Sequence, residues 1–274
     1  MNTTLRAQAE TIVTASIHAV LPDEAVRRAL QTFQPRGGRV VLVAAGKAAW
    51  QMANVACKAL PALAGGVVVT KYSHVKGEID GVTCYEGGHP VPDENGLRGT
   101  AAALALTEAL RADDTVGGGS ALFEQPLLPL AELQDITHQL LSAGADIVEI
   151  NTMRKRLSQV KGGRFAAHCA PARVFSIVLS DIVGDPLDMI ASGPACPDRS
   201  TCAQAIAVAE KYRLRLSPQA QALLAVETPK TLENVTTNIT GSVRELCAAA
   251  ANECRVLGYE PILLTDCLTC EARE

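Results

Sequence analysis

Residues 39–60 read RVVLVAAGKAAWQMANVACKAL. The run from Val40 to Ala45 is continuously apolar, ends at Gly46-Lys47, and passes directly into a helical stretch. A strand that is apolar on both faces and feeds a helix is the mark of a parallel sheet covered on both sides. The rest of the chain repeats this theme. GVVVT (66–70), VTCYE (82–86), VFSIVLSD (174–181) and PILLT (261–265) predict further strands, and 174–181 is the strongest of them.

Helices alternate with these strands. Leu5, Ala9, Ile12, Ile17 and Val20 recur at helical spacing, and a second helix is predicted over 23–33, before Pro35, Gly37 and Gly38 break the pattern. Asp93 caps an alanine-rich helix running to about residue 110, and Leu130, Leu133, Ile136 and Leu140 stripe another that stops at Gly144. NTMRKRLS continues as a basic helix into the turn KGGR at 161–164, and a further helix covers 201–212. Ser242 and Glu245 have capping-box spacing ahead of the stripe Val243, Leu246, Ala250, Cys254 and Leu257, which Gly258 ends. This order predicts a three-layer α/β/α fold with a mostly parallel sheet over 1–240, and the beginning of a smaller α/β domain over 241–274.

Of the 274 residues, 48% are hydrophobic but only 3% aromatic, so the core is aliphatic and stacking platforms for bases are excluded. A net charge of −4 gives no electrostatic reason to expect nucleic acid or an anionic membrane. No apolar run approaches the roughly 18 residues of a membrane span, and the polar start MNTTLRAQAETIV is not a signal peptide. Nine scattered cysteines read as reduced thiols and point to the cytoplasm. Cys267 and Cys270 form the one close pair, without a second pair or a nearby histidine to complete a zinc site.

Four places carry candidate chemistry. Lys47 stands just past a strand end, where open α/β sheets bind ligands, and a positive charge there opposes the helix dipole unless it serves an anion. Gly117, Gly118, Gly119 and Ser120 form a loop whose backbone N–H groups can turn toward one anion, although a plain turn explains it equally well. Asp181 and Asp185 follow the strongest strand, as hard oxygen ligands for Mg²⁺, as a base, or as turn residues bonded to their own backbone. Asn151, Arg154, Lys155, Lys161 and Arg164 form a basic patch, either an anion site or a solvated helix face. His89, held between glycines and prolines in EGGHPVPDENG, either orients a substrate or caps its turn.

Together, AAGKAAWQMA, VVVTKY, EGGHPVPDENG, GGGSAL, SAGADIVEINTMRKRLSQVKGGRFA and LSDIVGDPLDMIASGPACPDRST resemble, in order, the class II glycerate 2-kinases, many of which are labelled hydroxypyruvate reductases. The resemblance implies a Rossmann-like N-terminal domain and ATP-dependent phosphorylation of D-glycerate at its 2-hydroxyl, with Mg²⁺. It places Lys47, beside Gly46, and Asp181 in catalysis. Phosphate or substrate binding falls to Gly46, Gly117–Ser120, Asn151, Arg154 and Lys161, and metal binding to Asp181 and Asp185. The implied partners are D-glycerate and a nucleotide, with homodimerisation left open. A reductase would instead need a dinucleotide fingerprint, and no GxGxxG follows a strand.

Two departures from that pattern stand out. In ADDTVGGGSALFEQP (112–126) only Thr115 and Val116 separate the aspartates from the glycines, so the strand of about five or six residues that should carry the loop is expected to be missing. At CEARE the resemblance implies that the smaller domain has only begun.

Overall fold

The computed structural model describes residues 3–60, 62–118, 122–180, 184 and 186–268. Two helices, α1 (Thr3–Ala19) and α2 (Pro22–Leu30), precede the sheet. The order is then β1 (Val40–Ala45), α3 (Ala49–Ala59), β2 (Gly65–Lys71), β3 (Val82–Gly87), α4 (Glu94–Leu106) and β4 (Thr115–Gly118). Helices α5 (Leu130–Ser142), α6 (Ile147–Leu157) and α7 (Arg164–His168) lead to β5 (Arg173–Leu179). After it come α8 (Cys202–Lys211), α9 (Pro218–Leu224), β6 (Val235–Thr240) and α10 (Val243–Val256).

The sheet has six strands in the order β3-β2-β1-β4-β5-β6, and every pairing is parallel. This is the doubly wound order, in which the direction of winding reverses between β1 and β4, and ligands bind beyond the carboxyl ends of the strands at that reversal. Both faces are covered. Val41, Val43, Val67, Val69, Val116 and Val174 pack under α4 and α7, with Ala103 and Phe165 as the helical partners. Leu42, Ala44, Val68, Phe175 and Ile177 face the other way, onto Val26, Ala53 and Ala56 of α2 and α3. A third apolar cluster joins α5, α6, α8 and α9 through Leu133, Ile136, Met153, Leu157, Ala205 and Leu224.

The missing strand is present, in shortened form. Val116 and the first two glycines are themselves β4, pairing Thr115–Gly117 with Val40–Leu42 and Thr115–Gly118 with Arg173–Ser176. Both neighbours run on, β1 to Ala45 and β5 to Leu179, with no β4 residue paired to their final turns of pleat. The sheet thus closes by pairing a four-residue strand rather than by omitting one. A cavity of ≈ 40 Å³ lies beside each face of the short strand. One is lined by Val43, Phe123, Val178 and Ile190, the other by Leu42, Ala44, Gly117 and Ile177.

Two further expectations change. PILLT is not a strand: 261–265 has no regular structure, pairs with no described strand, and exposes Ile262 and Leu264, at 84% and 92%. Val235–Thr240, which the sequence reading passed over, is the outer strand β6. Glu245 of the expected capping box accepts from Gly241 N rather than from the Ser242 amide, while Ser242 Oγ does accept from Glu245 N. Helix α10 packs against α1.

Candidate active site

Strand register assembles the site. Ala45, Val69 and Tyr85 are neighbours across β1, β2 and β3, and Lys71 of β2 lies opposite Gly87 of β3. Two residues beyond Ala45, Lys47 therefore reaches the same level as Lys71, and two residues beyond Gly87 comes His89. Gly46 N donates to Val69 O (2.9 Å) and Thr70 Oγ1 donates to Gly46 O (2.8 Å), locking the turn that presents Lys47. Gly46 adopts φ 124°, so glycine is needed there. Lys47 sits in that turn, ahead of α3 rather than within it, and is exposed.

The loop after β3 is equally well fixed. A Cβ on Gly87 would lie 2.6 Å from Gly96 Cα, and one on Gly88 would lie 2.7 Å from Val91 O, so the loop folds directly onto the start of α4. Asp93 caps that helix through Gly96 N and accepts from the Tyr72 hydroxyl (2.7 Å). On the neighbouring loop, Glu86 accepts from His74 N and Val75 N, and His74 Nδ1 lies 2.8 Å from Lys47 O. From the opposite side Arg154 Nη2 donates to Pro90 O (3.1 Å), which brings the guanidinium of α6 to His89. Burial, reinforced by Lys47, Arg154, Lys71 and Lys161, pushes the His89 imidazole below its ordinary value, so it is neutral at neutral pH.

The other basic residues are not a solvated face. Lys155 and Arg156 are fully buried. Lys155 Nζ is 3.0 Å from both Asp188 and Asp198, and Arg156 contacts Asp198 (3.4 Å) and Glu227 (3.2 Å). Burial alone would raise the Asp198 carboxyl, but hydrogen bonds from Thr228, Ser200 and Lys155 outweigh it and hold the group at about 2. This network welds α6 to the segment entering α8.

Lys161 is also buried. Its Nζ donates to Ala191 O (3.2 Å) and stands 3.9 Å from Glu124 Oε2, while Glu124 Oε1 is buried without a hydrogen-bond partner. Burial lowers Lys161 to about 8 despite that carboxylate. Two left-handed turns meet here. Gly162 N donates to Ser192 O (2.9 Å) and Gly163 N to Gly193 O (2.7 Å), with φ between 59° and 82° at Gly162, Gly163, Ala191, Ser192 and Gly193. Ser192 Oγ donates to Asn151 Oδ1 (2.8 Å), and Asn151 Nδ2 donates to Met189 O (3.3 Å).

The structure thus gathers Gly46, Lys47, Arg154 and Lys161 at one rim with two residues the sequence left aside, Lys71 and Glu124, and settles His89 among them. Gly117 and Gly118 lie in β4, one strand away. Asn151 and Lys161 are buried and spend polar atoms on 189–192. Gly119, Ser120, Asp181 and Asp185 lie outside the described residues. Among the described residues no cluster of three or more His, Cys, Asp or Glu side chains could hold a metal, and no helix is long and apolar enough to cross a membrane.

A six-stranded parallel sheet in doubly wound order, with basic side chains near the carboxyl ends of β1, β2 and β3, defines an α/β protein of Rossmann-like architecture. The chain belongs to the family described as "Domain of unknown function (DUF4147)", which matches residues 8–225. It is 49% identical over 271 residues to D-glycerate 2-kinase of Thermotoga maritima, covering 96% of this chain and 64% of that protein. A glycerate 2-kinase of Pyrococcus horikoshii is 36% identical, covering 86% of this chain and 57% of the relative. A protein of Agrobacterium vitis with the provisional name hydroxypyruvate reductase is 38% identical, covering 88% and 57%. The crystal structure of the Thermotoga maritima glycerate kinase superposes with a TM-score of 0.87 at 47% identity, over 93% of this chain and 63% of that one. The chain therefore spans less than two thirds of the length of these relatives.

Proposed function

We propose that this chain is the larger, Rossmann-like portion of a glycerate 2-kinase, which transfers the γ-phosphate of ATP to the 2-hydroxyl of D-glycerate. The observation that carries this reading is the set Lys47, Lys71, His89 and Arg154, drawn from the turn after β1, the end of β2, the loop after β3 and α6, with no carboxylate paired to Lys47 or Lys71 among the described residues. Such a set suits a reaction whose reactants are all anions and whose catalysis is positioning plus charge neutralisation. In this reading Lys47 offers a point charge to the substrate carboxylate or the moving phosphate, and Arg154 supplies a second charge. Gly46 sets the turn, and Asn151 and Lys161 shape the floor. The nucleotide phosphates are assigned to Gly117–Ser120, of which Gly117 and Gly118 are the end of β4. Asp181 and Asp185 are the carboxylates assigned to Mg²⁺, a hard cation that usually takes one or two carboxylates and completes its shell with phosphate and water. Bound there, Mg²⁺ would neutralise phosphate charge.

A reductase reading is weaker, because the turn after β1 is AAGKAA and lacks the glycines that let a dinucleotide pyrophosphate approach. We place the protein in the cytoplasm on its cysteines, all unbonded among the described residues. The test is ADP release from ATP with D-glycerate and Mg²⁺, with phosphorus NMR of the product. A 2-phosphate is expected. A 3-phosphate would defeat the regiochemistry, and NADH oxidation with hydroxypyruvate in place of ADP release would defeat the class.

A further inference from the structure

Among the described residues, His74, His138 and His168 each hold a protein oxygen within hydrogen-bond distance of a ring nitrogen. His89 does not. Its half-buried ring has no hydrogen-bond partner, although its loop is fixed on both sides by the Gly87–Gly96 approach and the Arg154–Pro90 bond. The β2–β3 register sets it two residues past Gly87, the partner of Lys71, and neither Lys71 nor Lys47 has an ion-pair partner among the described residues.

The acidic groups around it are committed elsewhere. Glu86 is held by two backbone amides, Asp93 by the cap of α4 and Tyr72, and Glu124 faces Lys161 and Arg154 from the far side. That leaves His89 as the one side chain at this rim, among the described residues, that can take up a proton at neutral pH. The reading of the site as a kinase centre then raises the question of where the proton of the acceptor hydroxyl goes.

We propose that His89 is a catalytic residue, the base that receives the acceptor hydroxyl's proton during phosphoryl transfer. The proposal rests on the kinase reading. As the hydroxyl oxygen bonds the γ-phosphorus of ATP, the bond from that phosphorus to the β–γ bridging oxygen breaks. Its electron pair leaves on ADP, and the hydroxyl proton passes to the free ring nitrogen. Burial, with the nearby cations Lys47, Arg154, Lys71 and Lys161 adding to it, lowers the imidazole before the reaction. The negative charge of bound substrate then offsets them, so the ring becomes more basic once the acceptor is in place.

Two measurements test this. In the first, His89→Asn should lower kcat by about a hundredfold or more while KM for D-glycerate stays within about twofold, in the range that general bases contribute. The acid limb of the pH–kcat profile should vanish, and added imidazole should restore part of the rate. A variant that keeps its acid limb would overturn the proposal and return the proton to another group, the aspartates at 181 and 185 included. In the second, histidine-labelled chain is titrated by NMR with and without D-glycerate. The His89 resonance should titrate below pH 6.5 alone and at higher pH with glycerate bound. Glycerate that perturbs Lys47 and Arg154 signals but leaves the His89 titration unmoved would overturn the role of His89 alone. Glycerate that perturbs nothing would overturn the kinase reading and this proposal with it.

Discussion

Arg39 and Asp114 tie the amino ends of β1 and β4 together: Arg39 N donates to Asp114 Oδ1 at 2.8 Å, and Arg39 Nη2 to Oδ2 at 2.7 Å. Arg39 Nε (3.2 Å) and Arg111 N (2.8 Å) add two further donors. Gly38 lets the strands come this close, since a Cβ there would lie 2.5 Å from the Asp113 carbonyl carbon. The Arg39 hydrogen bond is the main cause that holds Asp114 at about 2. A carboxylate depressed in the folded state stabilises above its unfolded value and loses that contribution as pH falls through its folded one. Asp114→Asn should therefore lower Tm by about 5 °C near pH 7, and the gap to the parent protein should close as pH falls from about 4 toward 2. A gap that is constant with pH would exclude the ion pair as its source.

Among the described residues, the short β4 leaves Val43–Ala45 and Ile177–Leu179 without a partner between them. Inserting about three apolar, β-branched residues between Val116 and Gly117 would extend the four-residue strand to the length of its neighbours. Each restored ladder bond contributes about 0.5–1.5 kcal/mol, so Tm should rise by several degrees and the two flanking cavities should fill. Differential scanning calorimetry checks this, and a fall in Tm would show that the sheet has settled around its short strand.

Lys47→Ala should cut kcat/KM by at least about a hundredfold, roughly 2.7 kcal/mol of transition-state stabilisation. Tm should barely move, because Lys47 is exposed and makes no ion pair among the described residues. Steady-state kinetics beside a melting curve separate this outcome from a general loss of folding.

Lys161 gives a pH slope of the same sign as Asp114, in a higher window. Its folded value, about 8, lies below its ordinary 10.5. Over that window the unfolded chain binds more protons, so stability contributed at this site rises with pH. Compared with Lys161→Met, the parent protein should gain stability between pH 8 and 10.5. Denaturant melts at both ends of that range measure the difference. A constant difference would mean that Lys161 is charged throughout.

The elements that could be read from the chain are those whose own residues decide them. Val40–Ala45 and Arg173–Leu179 are apolar on both faces and lie mid-sheet. Val235–Thr240 escaped because an edge strand half-exposed along its length tolerates VTTNIT, which carries no apolar run. β4 escaped because half of it is glycine, and its pairing is imposed by two neighbours rather than by its own propensity. Lys155 reads equally as part of an anion site or of a solvated face, because its counter-charges Asp188 and Asp198 come 33 and 43 residues downstream. Lys71 and His89 belong together only through the β2–β3 register, which no local pattern encodes.

The joined left-handed turns have a kinetic corollary. Gly162 and Gly163 give their amide protons to Ser192 and Gly193, so neither turn can loosen without freeing the other. Their two amides should exchange with solvent deuterium as a single correlated event, at a rate that reports how often the stretch after β5 lifts away from the end of α6. Two glycines are thus a built-in clock for that opening, readable without any substrate.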